Sequence, residues 1–274
     1  MLKLMYITDN PDIAVIAQNA GVDRIFVDME YIGKSERQRM MDTVQNHHTV
    51  EDIMNIRNVI DKSELIVRVN PIHDGSEKEI NAVVDAGADI IMLPMWHNAE
   101  QAQEFIKLVG GRAKTMLLLE NLDAVNDLDR VLRLDGIDEI HIGLNDLHIS
   151  VGCTFLFQLL ADSIVKNITE KIKKSGITYG FGGFGRIGEG ILPADYIVSE
   201  HYRLGSSIAI LSRSFCDLRK YSDLDEIKEL FDSGLARLRE YEHFLENCDS
   251  DYFEQVHLKL CDCVDKIVEE MKNV

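Results

Sequence analysis

Short apolar runs alternate with amphipathic stretches from the N-terminus to about residue 216. The runs KLMYIT, RIFVDME, ELIVRVN, DIIMLPM, KTMLLLEN, EIHIGLND, TYGFGG and SIAILSRSF read as strands. Their near-continuous apolar character is that of parallel strands covered on both faces. Between them PDIAVIAQNAG, TVEDIMNIRNVI, EKEINAVVDAGA, NAEQAQEFIKLVGG, LDAVNDLDRVLRL, LFQLLADSIVKNITEKIKKSG and ADYIVSEHYRLG carry helical periodicity. About eight β/α units in succession predict an α/β fold, a (β/α)8 TIM barrel, rather than a doubly wound sheet. The phrases NAGVDRIFV and DAGADIIML repeat one device, in which a glycine ends a helix and an acid precedes the next strand.

After Phe215 the strand signal stops. Leu224, Ile227, Leu230 and Phe231 make one apolar stripe, and Phe253, Val256, Leu260, Val264, Ile267 and Val268 make another. We expect a barrel over residues 1–216 and a helical extension over 217–274, packed on the barrel or at a subunit interface.

The charged letters fall at strand ends. Asp28 and Glu30 are two apart, so a strand places both carboxylates on one face at its tip, where they need partners. Arg68 with Asn70, Glu120 with Asn121, and Asn145 with Asp146 close three other apolar runs. The C-terminal ends of barrel strands build the active site, so these groups are expected to converge on one mouth. Glu120 and Asp146 are hard oxygen donors suited to Mg²⁺ or Mn²⁺, with waters and substrate oxygens completing the coordination. Such an ion polarises a carbonyl and stabilises an enolate. Arg68 adds a permanent planar cation, and the amides after Gly143 add donors at a helix start. Together they point to making or breaking a carbon–carbon bond beside a 2-keto acid.

Composition narrows the partners. A formal net charge of −18 sets nucleic acid and anionic membranes aside. No apolar stretch approaches the roughly 18 residues of a membrane span, and the N-terminal run is followed by no small-residue cleavage site. Five cysteines, with Cys261 and Cys263 one residue apart, read as reduced thiols in a cytoplasmic protein.

The segments DMEY, VRVNP, GADIIMLPMWHNAEQAQEF, LLLEN and IDEIHIGLNDLHISVG resemble, in order over about residues 4–216, the landmarks of the HpcH/HpaI aldolase and citrate lyase β-subunit family. The resemblance implies a (β/α)8 barrel, a Mg²⁺-type metal, and lyase or aldol chemistry on pyruvate-like or acyl-CoA substrates. It implies metal ligands at Glu120 and Asp146, a substrate-binding arginine at Arg68, and backbone amides of Asn145 and Asp146 on the substrate carboxylate. It also implies a homo-oligomer with C-terminal helices at the subunit contacts. Two positions depart from the family's pyruvate aldolases. Tyr31 stands where they carry a proton-transferring histidine, and Leu118 stands where they carry a glutamine. Tyrosine ionises near pH 10 and is a poor base at neutral pH. The catalytic set is therefore Arg68, Asp28, Glu30 and Tyr31, with Asp28 and Glu30 orienting their neighbours.

His47, His48 and His148 are candidate substitutes for the missing base, whereas His141 lies within a strand and reads as packed. Thr49 before Glu51 and Asp52 marks a helix start. Lys114 opens a strand, the wrong end for a Schiff base. GFGGFG at 180–185 matches a dinucleotide fingerprint but lies late in the chain, and reads as a close-approach loop at a barrel tip. Two further functions stay open. One is a non-enzymatic scaffold or regulatory subunit that kept its metal site; the other is a phosphoenolpyruvate-type mutase.

Overall fold

The computed structural model describes residues 1–33 and 48–272. Eight parallel strands form a closed barrel in sequential order: β1 Lys3–Ile7, β2 Arg24–Asp28, β3 Glu64–Arg68, β4 Ile90–Leu93, β5 Lys114–Leu119, β6 Glu139–Ile142, β7 Thr178–Phe184 and β8 Ile208–Leu211. The expected (β/α)8 architecture is therefore present. Helices α1 Pro11–Ala20, α2 Val50–Val59, α3 Ser76–Asp85, α4 Ala99–Val109 and α5 Leu122–Val131 separate the first six strands. They are followed by α6 Leu144–Val151, α7 Gln158–Ala161, α8 Ile164–Ser175, α9 Ala194–Leu204, α10 Leu224–Leu245 and α11 Ser250–Lys272. Among the described residues no helix is long and apolar enough to cross a membrane, and the five cysteines are free.

Local chemistry explains the boundaries. Asn10 caps α1 by accepting the Asp12 and Ile13 amides, and Gly21 ends it at a φ of 106° that L side chains rarely adopt. Thr49 caps the start of α2, where the sequence predicted a helix to begin, and with Asp52 it forms a reciprocal capping box. One predicted helix, LFQLLADSIVKNITEKIKKSG, is instead two. Ser163 takes a left-handed φ of 59° between α7 and α8, which an α-helix cannot accommodate.

The chain divides into two compact units, Met5–His141 and Met1–Leu4 with Ile142–Val274. In the first, the start of β2 hides an ion network. Arg24 is fully buried and grips Glu139 through two bonds of 2.6 Å, while its Nε donates to Glu64 at 2.9 Å. Lys114 opens β5, as expected, and also holds Glu64, which raises its pKa, the reverse of what a Schiff-base lysine needs.

In the second unit, α11 buries Val256, Leu260, Val264, Ile267 and Val268 and packs against α7 and α9. Helix α10 buries Ile227, Phe231, Leu235 and Leu238, but Leu224 is exposed. The buried Glu242 accepts the Leu2 amide at 2.6 Å, and Arg239 donates to the Leu2 carbonyl. The glycines of GFGGFG belong mainly to β7, not to a loop as the sequence suggested. Their close approach is genuine, because a Cβ on Gly180 would lie 2.1 Å from the Ile208 carbonyl oxygen.

Candidate active site

Parallel register pairs Asp28 at the end of β2 with Arg68 at the end of β3. Arg68 Nε and Nη2 donate to the two Asp28 carboxylate oxygens at 2.8 Å each, and Nη1 lies 3.3 Å from Glu30. Both acids are buried, and Phe26 lies under the guanidinium at 5.7 Å. Burial alone would lower the Arg68 pKa. Asp28 and Glu30, and beyond them Glu120, outweigh it and push it well above the ordinary arginine value. The guanidinium is thus a fixed cation whose bidentate orientation is set by Asp28. Sequence reasoning placed these four residues at strand tips, and the unit Met5–His141 brings them together.

The turn after β2 is held from β3's side. The Asn70 carboxamide oxygen accepts the Tyr31 and Ile32 amides at 3.0 Å each. Its nitrogen donates to Glu79 of α3 at 2.7 Å, which fixes the orientation of the amide. The Tyr31 side chain is 60% exposed. His47 lies outside the described residues. His48 Nδ1 accepts the Asp28 amide at 2.9 Å, and its Nε2 lies 3.7 Å from Asp9. Its Nδ1 lone pair is spent on the main chain, so this imidazole fixes the end of β2.

Glu120 follows β5 and is buried; its Oε1 accepts the Met95 amide at 3.0 Å. Met95 has a φ of 47°, a strained conformation for a side-chain-bearing residue. Sequence reading missed this residue, since no letter announces a left-handed methionine. Asn121 caps α5 by accepting the Ala124 amide and donates to the Trp96 carbonyl, tying the ends of β4 and β5 together. Leu118 is buried in β5.

In the second unit, Gly143 occupies the N-cap of α6 and no side chain caps its first turn. Asn145 is exposed and Asp146 half-buried on that turn. His148 is buried and its Nδ1 meets the Leu144 carbonyl at 3.2 Å. His141 is buried in β6, as expected. Among the described residues there is no group of three or more His, Cys, Asp or Glu side chains arranged to hold a metal.

The family model described as HpcH/HpaI aldolase/citrate lyase matches residues 3–177. A hydroxypyruvate/pyruvate aldolase of Roseobacter denitrificans is 30% identical over 196 residues, 59% of this chain and 68% of that protein. A 2-keto-3-deoxy-L-rhamnonate aldolase of Klebsiella pneumoniae is 25% identical over 169 residues, 51% of this chain and 58% of that protein. A crystal structure of a protein of the same family from Burkholderia cenocepacia superposes with a TM-score of 0.62. Its identity is 16%, and the match covers 83% of this chain and 94% of that one.

Proposed function

Because the chain belongs to the HpcH/HpaI aldolase/citrate lyase family, we propose that it is a divalent-metal-dependent carbon–carbon lyase or aldolase acting through the enolate of a pyruvate-like 2-keto acid or related acyl substrate. The observation that carries this reading is the half-buried Arg68, oriented by the buried Asp28 and Glu30 and within the field of Glu120. A cation fixed at a strand end before substrate arrives stabilises an oxyanion without reorganising during the reaction. Asp28 and Glu30 set its direction. Asn70 keeps the turn that carries Glu30 in place.

The donor chemistry suits a hard cation. Glu120 and Asp146 are carboxylates assigned as ligands from that chemistry and from the resemblance, and Mg²⁺ or Mn²⁺ takes its remaining positions from water and substrate oxygens. When bound, the ion supplies Lewis-acid polarisation of the substrate keto oxygen. The first-turn amides of α6, at Asn145 and Asp146, take the substrate carboxylate. The family's oligomeric habit would place α10 and α11 at subunit contacts, in a cytoplasmic homo-oligomer.

Solvent deuterium exchange into the methyl group of pyruvate with Mg²⁺ tests the enolate. Exchange in the parent protein that is lost in Glu120→Ala supports the reading. Mg²⁺ titrations unchanged in both Glu120→Ala and Asp146→Ala would sink the ligand assignment. The exposed Tyr31, in place of a basic side chain, favours a second reading, a barrel that binds metal and keto acid without turnover. That protein would bind pyruvate and Mg²⁺ yet exchange no deuterium.

A further inference from the structure

In the unit that contains β7 and β8, a thiol, an imidazole and a carboxylate form a chain across three helices. Helix α11 carries His257 and Cys261 four residues apart, which puts both on one helix face. Cys261 Sγ lies 3.7 Å from His257 Nε2 and 4.0 Å from the carbonyl oxygen of Ala161, the last residue of α7. His257 Nδ1 lies 3.1 Å from Glu200 Oε1 on α9. Glu200 is buried, whereas His257 and Cys261 are half-buried, so the chain runs from the packed helix interface towards solvent.

The acceptor sets the roles. Arg203 donates to both Glu200 oxygens, at 2.8 and 2.7 Å, and holds the carboxylate in place. A carboxylate only accepts, so Nδ1 carries the imidazole proton and Nε2 turns its lone pair to the thiol. A carboxylate behind the far nitrogen of a histidine is the arrangement that orients an imidazole for metal binding. The spacing agrees. Zinc bonds of about 2.3 Å to sulfur and about 2.0 Å to nitrogen, at a tetrahedral angle, separate the two ligand atoms by roughly 3.6 Å. The field agrees as well, because Glu200, Asp262 and Asp265 act on the thiol against one cation, Arg203, which is already engaged with Glu200. That excess of negative charge opposes a bare thiolate and favours a bound cation.

We propose that Cys261 and His257 bind a Zn²⁺-class cation, with Glu200 as the positioning residue behind His257. Two side chains supply the ligands, so solvent holds the remaining positions. Cys263 stays outside the site, since its Sγ lies 3.8 Å from the Ile191 carbonyl oxygen. Thiolate and imidazole select Zn²⁺ over Mg²⁺, which prefers oxygen donors. As the ion binds, a metal–sulfur bond forms and the thiol proton passes to solvent. The bound ion fastens α11 to α9 through the His257–Glu200 bond. None of this depends on the aldolase reading.

Titration of the full chain with Co²⁺, in excess Mg²⁺ and a reductant that does not bind metal, tests the site by a signature of sulfur ligation. Thiolate-to-cobalt charge-transfer absorption should rise, saturate at one equivalent, and be lost on adding one equivalent of Zn²⁺. Cys261→Ser should abolish it, while Cys263→Ser and Glu120→Ala should leave it unchanged. Glu200→Gln should weaken Co²⁺ binding about 10–100-fold, and His257→Ala at least as much. Far-UV circular dichroism confirms that each variant is folded, and Cys261→Ser, at a half-buried position, carries the test if Glu200→Gln is not. No charge-transfer band, a band that survives Cys261→Ser, or parent affinity in His257→Ala overturns the proposal. Parent affinity in folded Glu200→Gln overturns the role given to Glu200.

Discussion

Arg68 and Asp28 are registered partners on neighbouring parallel strands, joined by two hydrogen bonds of 2.8 Å each. Side chains opposite one another in register share a face, so the pairing follows from strand geometry once β2 and β3 align. The same pairing takes three roles at once. It sets a cation against two buried acids, Asp28 and Glu30, fixes the guanidinium over Phe26, and holds a permanent charge at the strand end.

Arg68→Lys should keep the charge and lose the fork. A single ammonium cannot make both parallel bonds to Asp28 and still reach Glu30. We expect the fold to survive and pyruvate exchange to fall by about 10²–10³-fold, the usual effect of losing one preorganised oxyanion donor. Arg68→Ala should cost about 3–5 kcal/mol of stability, because two buried carboxylates lose their counter-charge. Urea denaturation beside the exchange assay separates the two effects; exchange at the parent rate in Arg68→Lys would remove Arg68 from the chemistry.

Asn70→Ala should loosen the turn that carries Glu30. The carboxamide accepts two main-chain amides and donates to Glu79, so its truncation leaves half-buried polar groups without it. A loss of roughly 1–3 kcal/mol is expected. Hydrogen exchange at the Tyr31 and Ile32 amides should accelerate in the variant. Unchanged protection at both would show that the clamp seen here contributes nothing to the turn.

The elements that were legible in the sequence are those with a short-range cause. Strand ends could be read because an apolar run stops at a charged letter, as at Asp28, Arg68 and Glu120. Thr49 announced its helix because a capping box needs only four consecutive residues. What escaped has long-range or conformational causes. Arg24 reads only as the first letter of the strand RIFVDME, yet it is fully buried because Glu139, 115 residues away, meets it. Met95 gives no sign of its left-handed backbone, and Ser163 none of the break it makes between α7 and α8. His48 was legible as a neighbour of the mouth, but not as an acceptor for the Asp28 amide.

Glu139→Gln should expose the cost of the Arg24 network. The variant removes the charge that meets Arg24 at 2.6 Å and leaves Glu64 as its remaining carboxylate partner. Breaking a buried pair from one side costs about 3–5 kcal/mol, and the lower end applies where a second acid persists. Pyruvate exchange at 25 °C should be retained, since Arg24 and Glu139 stand at strand starts while the candidate site stands at strand ends. A variant as stable as the parent in urea would count against the network's structural role.

Glu200 gives a pH prediction with a definite sign. Its carboxylate is buried on α9, accepts two bonds from Arg203 at 2.8 and 2.7 Å, and meets His257 Nδ1 of α11 at 3.1 Å. Burial would raise its pKa, but the hydrogen bonds and charges of His257 and Arg203 outweigh that and hold it below the ordinary value of 4.5. A carboxylate depressed in the folded state contributes stability that is fully present above the unfolded value. That stability is lost as pH falls through the folded one. The parent protein should therefore lose stability below about pH 4.5 partly through this group. Glu200→Gln should be less stable at pH 7, where Arg203 loses its partner, and should show a shallower fall in acid. Urea unfolding at intervals from pH 7 to pH 3 reads both, and equal acid slopes in parent and variant would assign the lost stability to other carboxylates.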